Sequence, residues 1–129
     1  MSQAESGRTP FAELEVLIVE DEAIVSFLVE DMLMELGCGV VRHAGSMGEA
    51  LAALATKRPD AAVLDVNLGG YKVYPLAERL REMGVPFLFA SGYDASALPP
   101  EWAGRPLVQK PFQLAALAAG LRAALAGRT

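Results

Sequence analysis

The sequence predicts an α/β fold, a parallel sheet of five strands with helices on both faces. Three observations predict it. Short, nearly unbroken apolar runs occur at Val16-Leu17-Ile18-Val19, Ala61-Ala62-Val63-Leu64 and Val85-Pro86-Phe87-Leu88-Phe89-Ala90, as strands covered on both faces require. Stretches with helical spacing separate them. Each run then gives way to polar residues, Glu20-Asp21, Asp65 and Ser91, at the strand-to-loop edge where open parallel sheets bind ligands.

Residues 1–13 are read as a flexible tail and residues 14–129 as one domain, because the first residues are polar and aperiodic. The first strand ends in Glu20-Asp21-Glu22. A helix follows, with Ile24, Phe27, Leu28, Met32 and Leu36 at helical spacing and Gly37 as its stop. Residues 39–44 form a modest second strand containing His43, expected to be exposed. Ser46-Met47-Gly48-Glu49 is a capping box that opens a helix ended by Pro59. After the Asp65 strand and the Gly69-Gly70 loop, residues 71–83 read as a helix with Leu76 and Leu80 inward, Pro75 near its first turn and Gly84 as its cap. Leu107-Val108-Gln109 is a short last strand before Lys110-Pro111, and residues 112–125 form an alanine-rich helix with a leucine stripe. Between Tyr93 and Arg105, where the alternation calls for the fourth helix, Pro99 and Pro100 permit a single turn at most.

Composition narrows the function. The 129-residue chain carries a formal net charge of −5, with a pI near 4.8, which makes nucleic acid a poor partner. One cysteine, Cys38, fits a reducing cytosol. No apolar run is long enough to cross a membrane, and the start does not read as a signal peptide, so the expectation is a cytoplasmic protein with no membrane partner.

Parallel strands bring their C-terminal ends to one edge, so Glu20, Asp21, Asp65, Ser91 and Lys110 are expected to be neighbours. Taken singly, each has a plain structural reading as a helix start, turn, cap or surface lysine. Together they form an acid cluster that is costly without a cation. Oxygen donors without histidine or cysteine suit Mg2+, or Mn2+. A carboxylate left over, Asp65, is then a nucleophile toward phosphorus, Lys110 a counter-charge for phosphoryl oxygens, and Ser91 a hydroxyl donor to them.

Four segments, Val16-Leu17-Ile18-Val19-Glu20-Asp21-Glu22, Leu64-Asp65-Val66-Asn67, Ala90-Ser91-Gly92 and Lys110-Pro111-Phe112, together resemble a bacterial response-regulator receiver domain over residues 14–126. Val85-Pro86-Phe87-Leu88-Phe89-Ala90-Ser91-Gly92-Tyr93 further resembles the signature of the stand-alone "FAT GUY" receivers of alphaproteobacteria, with Ser for the usual Thr. The resemblance implies a flavodoxin-like three-layer sandwich with strand order 2-1-3-4-5. It implies Asp65 as phosphoacceptor, Asp21 as direct Mg2+ ligand with Glu20 acting through water, and the Asn67 carbonyl completing the metal site. It also implies Ser91 as the switch hydroxyl, Lys110 as the family's lysine, and a Lys110–Pro111 bond that is commonly cis. The sequence departs from the pattern at Leu107, where most receivers carry an aromatic ring; Tyr93 is the nearest substitute.

The expected function is a single-domain response regulator of a two-component phosphorelay. Asp65 is charged by a histidine kinase or a histidine phosphotransfer protein, and the output is contact with a downstream protein or service as a phosphate sink. The chemistry is its own phosphorylation and dephosphorylation, not turnover of a separate substrate. The chain is expected to be a monomer or weak homodimer. Two rivals are a Mg2+-dependent phosphatase with an aspartyl nucleophile, disfavoured because Asn67 cannot protonate a leaving group, and a pseudo-receiver that binds partners without phosphorylation, disfavoured by the complete acid set.

Overall fold

The structure, a computed structural model, describes residues 11–127. Most of the expected tail lies outside the described residues. Within them, Phe11 is buried beside Val16, Val29 and Leu33, so the packed chain already includes residues ahead of the expected domain start at Leu14.

The elements are β1 (Glu15–Val19), α1 (Ala23–Glu35), β2 (Val40–Ala44), α2 (Met47–Thr56), β3 (Ala61–Asp65), a two-strand hairpin of β4 (Asn67–Leu68) and β5 (Tyr71–Lys72), α3 (Tyr74–Met83), β6 (Phe87–Ser91), β7 (Leu107–Gln109) and α4 (Leu114–Ala126). The main sheet is parallel with order β2-β1-β3-β6-β7. With the hairpin strands left out of the count this is the expected order 2-1-3-4-5, and the fold is the expected flavodoxin-like α/β sandwich.

Alternation along the strands makes two cores. Leu17, Val19, Ala62, Leu64, Phe87 and Phe89 pack toward α2 and α3. Val16, Ile18, Ala61, Val63, Leu88 and Ala90 pack toward α1 and α4. Both faces are covered, which is why these strands read as continuous apolar runs. The register sets the site: Asp65 lies opposite Ala90, and Ser91 opposite Gln109, so Asp65, Ser91 and Lys110 leave the sheet at one level.

Local chemistry sets the helix ends. Ser46 Oγ accepts the Glu49 N–H at 3.1 Å, and Glu49 reaches back to the Gly45 N–H at 2.7 Å, one residue before the cap. Pro75 sits in the first turn of α3, and Gly84 ends that helix with φ of 72°, a conformation that only glycine adopts freely.

Three expectations are corrected. The helix expected from residue 71 begins at Tyr74, because Tyr71 and Lys72 pair antiparallel with Leu68 and Asn67 across the Gly69-Gly70 turn. The stripe read at helical spacing on α1 does not make up its buried face: Ile24, Phe27 and Leu28 are 85%, 60% and 45% exposed, while Ser26, Val29 and Leu33 are buried. The helix is apolar nearly all round, so its spacing fits more than one face, and the sheet selects the narrower one. The segment between β6 and β7 holds two 3-10 turns, Ala95–Ala97 and Pro100–Trp102, where the sequence allowed a single turn. This satisfies the expectation of a short or irregular fourth helix.

Trp102 fills the space beside this segment. It stacks on Tyr74 at 6.4 Å between centroids and meets Phe87 and Phe89 edge-on, each at 5.9 Å. Two guanidinium groups, of Arg81 at 4.8 Å and Arg105 at 5.6 Å, lie over its ring.

Candidate functional site

β1 and β3 deliver their acids side by side. Glu20 and Asp65 are buried and Asp21 is exposed, and one carboxylate oxygen from each lies within 4.8 Å of those of the other two. Lys110 enters from the end of β7, held where its backbone N–H donates to the Ser91 carbonyl at 2.7 Å. Its ammonium donates to Glu20 Oε1 at 2.9 Å and stands 3.4 Å from Asp65 Oδ2. The Lys110–Pro111 peptide bond is cis, as the resemblance implied.

Backbone N–H groups hold the acids and Ser91 in place. Glu20 Oε2 accepts the Glu22 N–H at 3.1 Å, Asp65 Oδ1 the Asn67 N–H at 3.3 Å, and Asp21 Oδ2 the Gly69 N–H at 3.1 Å. The Ser91 hydroxyl oxygen accepts the Tyr93 N–H at 3.0 Å. Asp21, Asp65, Asn67, Gly69, Gly70, Tyr93 and Lys110 line a cavity of about 550 Å³ that opens to solvent, and Glu20 is joined to it through its bond from Lys110.

Burial raises the pKa of Asp65 and of Glu20; the hydrogen bonds and the Lys110 charge pull both back only in part. Burial pulls Lys110 the other way, but its bond to Glu20 and the charges of Asp65 and Glu20 outweigh it, so its pKa rises. Without a cation, between the ordinary carboxylate range and the raised values, the native state binds more protons at these carboxyls than the unfolded chain does. By linkage, that contribution to stability is lost as pH rises from the ordinary carboxylate range through the raised values. In metal-free buffer an Asp65→Asn protein is expected to melt above the wild type at neutral pH, and the gap is expected to close toward acid. Melting curves across pH with chelator present check this; a gap that widens toward acid contradicts it.

The chemistry of the donor set fits a hard divalent cation: three carboxylates converge, no histidine or cysteine is among them, and two of the three are desolvated.

Of the residues nominated from the sequence, Asp21, Asp65, Asn67, Tyr93 and Lys110 line this cavity, while Glu20 and Ser91 are bonded to its lining residues Lys110 and Tyr93. Leu107 is half-buried and packs on the first core. Tyr93 is 67% exposed at the cavity mouth. His43 is exposed, as expected, and also contacts Ser26 through Nδ1 and Glu30 through Nε2, tying β2 to α1. The sequence reading missed Lys72, whose ammonium donates to the Asn67 side-chain oxygen at 2.7 Å, and the Gly69 N–H. The signal for both was present: two glycines between short runs are a hairpin turn.

Known proteins place this geometry. The model of the response regulator receiver domain matches residues 16–122. The transcriptional regulatory protein YvrH of Bacillus subtilis (strain 168) is 32% identical over 114 residues, 85% of this chain and 48% of that protein. The sensory transduction protein LytT of the same organism is 32% identical over 91 residues, 66% of this chain and 36% of that protein. The chain thus spans less than half the length of both.

Among solved structures, SdrG from Sphingomonas melonis Fr1 is 38% identical with a TM-score of 0.75, over 87% of this chain and 96% of that one. The BeF3-activated conformation of SdrG has a TM-score of 0.77 at the same 38% identity, over 88% of this chain and 98% of that one. The PhyR stress response regulator is 31% identical with a TM-score of 0.78, over 98% of this chain and 49% of that one. SdrG and PhyR among the neighbours agree with the FAT GUY resemblance. The fold, the acid–lysine cluster and the match over most of its length lead to one conclusion: the chain belongs to the response-regulator receiver domain family.

Proposed function

We propose that the chain is a receiver of a two-component phosphorelay that takes a phosphoryl group on Asp65 from a phosphohistidine of a kinase or phosphotransfer protein. The carrying observation is Lys110 between Glu20 and Asp65, at 2.9 Å and 3.4 Å, with Asp21 completing the acid cluster.

An Asp65 carboxylate oxygen attacks phosphorus, the nitrogen–phosphorus bond of the donor breaks, and its electron pair stays on the imidazole nitrogen. Lys110 offsets negative charge on the phosphoryl oxygens. Ser91, whose oxygen accepts the Tyr93 N–H, keeps its own proton free to donate to a phosphoryl oxygen at the cavity. Asp21, Asp65 and the Asn67 carbonyl would hold Mg2+, with Glu20 behind them. Bound there, the ion supplies charge neutralisation to acids and phosphoryl oxygens alike. Asn67 offers no proton donor of carboxylic type, which separates the site from an aspartyl phosphatase.

Activation of SdrG by BeF3, a mimic of a phosphoryl group, supports the reading. The exposed Ile24, Phe27 and Leu28 on α1 provide an apolar landing for a protein donor near Asp21. Output is a protein contact or a drain of phosphoryl groups. The net charge of −5 and the free Cys38 support a cytoplasmic location. Among the described residues no helix is long and apolar enough to cross a membrane.

Incubation with a small phosphodonor and Mg2+, followed by intact mass and mapping, tests the proposal. One phosphoryl group on Asp65 is expected, with Asp21→Asn shifting the Mg2+ requirement to higher concentration. A chain that gains no mass under saturating donor refutes it.

A further inference from the structure

The β4–β5 hairpin stands beside the acid cavity and is fixed at several points. Asn67 pairs with Lys72 in its ladder, the Gly69 N–H donates to Asp21, and the Val73 N–H returns to the Val66 carbonyl at 2.9 Å. Asn67 lines the cavity, and its backbone N–H already reaches Asp65. Among the described residues its side chain is held by the Lys72 ammonium, at 2.7 Å.

That bond fixes the sense of the amide. An ammonium has donors only, so the atom facing it is the amide oxygen. Asn67 lines the cavity and Lys72 is not among its lining residues, so the amide end not engaged by Lys72, the NH2 group, is the one available to the cavity. Toward a phosphorylated Asp65 it is a donor suited to phosphoryl oxygens. It cannot accept a hydrogen from water.

This matters for loss of the phosphoryl group, and the inference rests on the phosphoacceptor reading above. In hydrolysis a solvent water attacks phosphorus opposite the Asp65 oxygen. The phosphorus–oxygen bond to Asp65 breaks, its electron pair returns to the carboxylate, and the water proton ends on the departing inorganic phosphate. An acceptor beside that water orients it for attack; an amide NH2 does not. We propose that Lys72 is a positioning residue: by holding the Asn67 oxygen away from the cavity it denies the water an acceptor and lengthens the life of the aspartyl phosphate. Without Lys72 the amide turns freely and presents its oxygen.

The test uses the full chain loaded with a small phosphodonor, freed of donor, and followed by intact mass as the added group is lost. Lys72→Met is expected to shorten the lifetime about two- to tenfold, the factor that one ordinary hydrogen bond is worth. Lys72→Arg, which keeps charge and donors, is expected to restore it. In an Asn67→Ala background Lys72→Met is expected to change nothing further. Lys72 is exposed, so melting curves of all variants should coincide with their parents. An unchanged lifetime in Lys72→Met, or an equal shortening in the Asn67→Ala background, overturns the proposal while leaving the phosphoacceptor reading intact. A wild-type chain that accepts no phosphoryl group overturns both.

Discussion

An Asp65→Asn protein is expected to gain no mass on incubation with a small phosphodonor and Mg2+, under conditions where the wild type gains one phosphoryl group. The carboxamide has lost the charged oxygen that attacks phosphorus, and an acyl phosphate cannot form on it. The substitution nearly preserves volume, and burial already disfavours the charged form of Asp65, so the fold should survive. Neighbouring acids do not substitute. Glu20 is buried and bound to Lys110, and Asp21 lies at the side of the cavity tied to Gly69. A variant that still takes up the group as fast as the wild type, with mapping to any residue, would falsify the assignment of Asp65.

The second large effect concerns stability. Trp102→Ala is expected to cost about 3–5 kcal/mol, the range for removing a buried large aromatic side chain. Trp102 is 1% exposed and is the hub on which Tyr74, Phe87 and Phe89 meet. Removal leaves a void among three rings that cannot collapse onto each other, and it also takes away the surface over which Arg81 and Arg105 lie. Against a typical domain stability of about 5–15 kcal/mol this is a large fraction. Trp102→Phe should be far milder: it keeps a ring and removes an indole N–H that is buried without a hydrogen-bond partner. Urea unfolding of the three proteins decides. Equal midpoints for Ala and wild type would mean that the segment between β6 and β7 is not anchored by this side chain.

Much of the fold was legible because burial on both faces leaves a strong mark. Val16–Val19 and Ala61–Leu64 could hardly be anything but central strands, and the prolines at 99 and 100 announced the missing fourth helix. The face of α1 was not legible. Ile24, Phe27 and Leu28 are as apolar as Val25, Val29 and Leu33, and period alone cannot say which row meets the sheet; the small Ser26 marks the close approach only after the fact. The hairpin was obscured because Tyr71 and Lys72 run straight into a helical pattern. At the site, the identity of the acids and of Lys110 followed from four short segments. That Lys110 bonds Glu20 more closely than Asp65 did not, since that preference depends on side-chain reach between positions 90 apart in the sequence.

The packing of Trp102 gives the protein a built-in optical reporter. It is the one indole in the chain, shielded from water, and its neighbour Phe89 lies on the same strand as Ser91. If Ser91 shifts on phosphorylation as proposed, the displacement is expected to reach Trp102 through Phe89. Emission from Trp102 is expected to change when phosphodonor and Mg2+ are added to the wild type and to stay constant in Asp65→Asn.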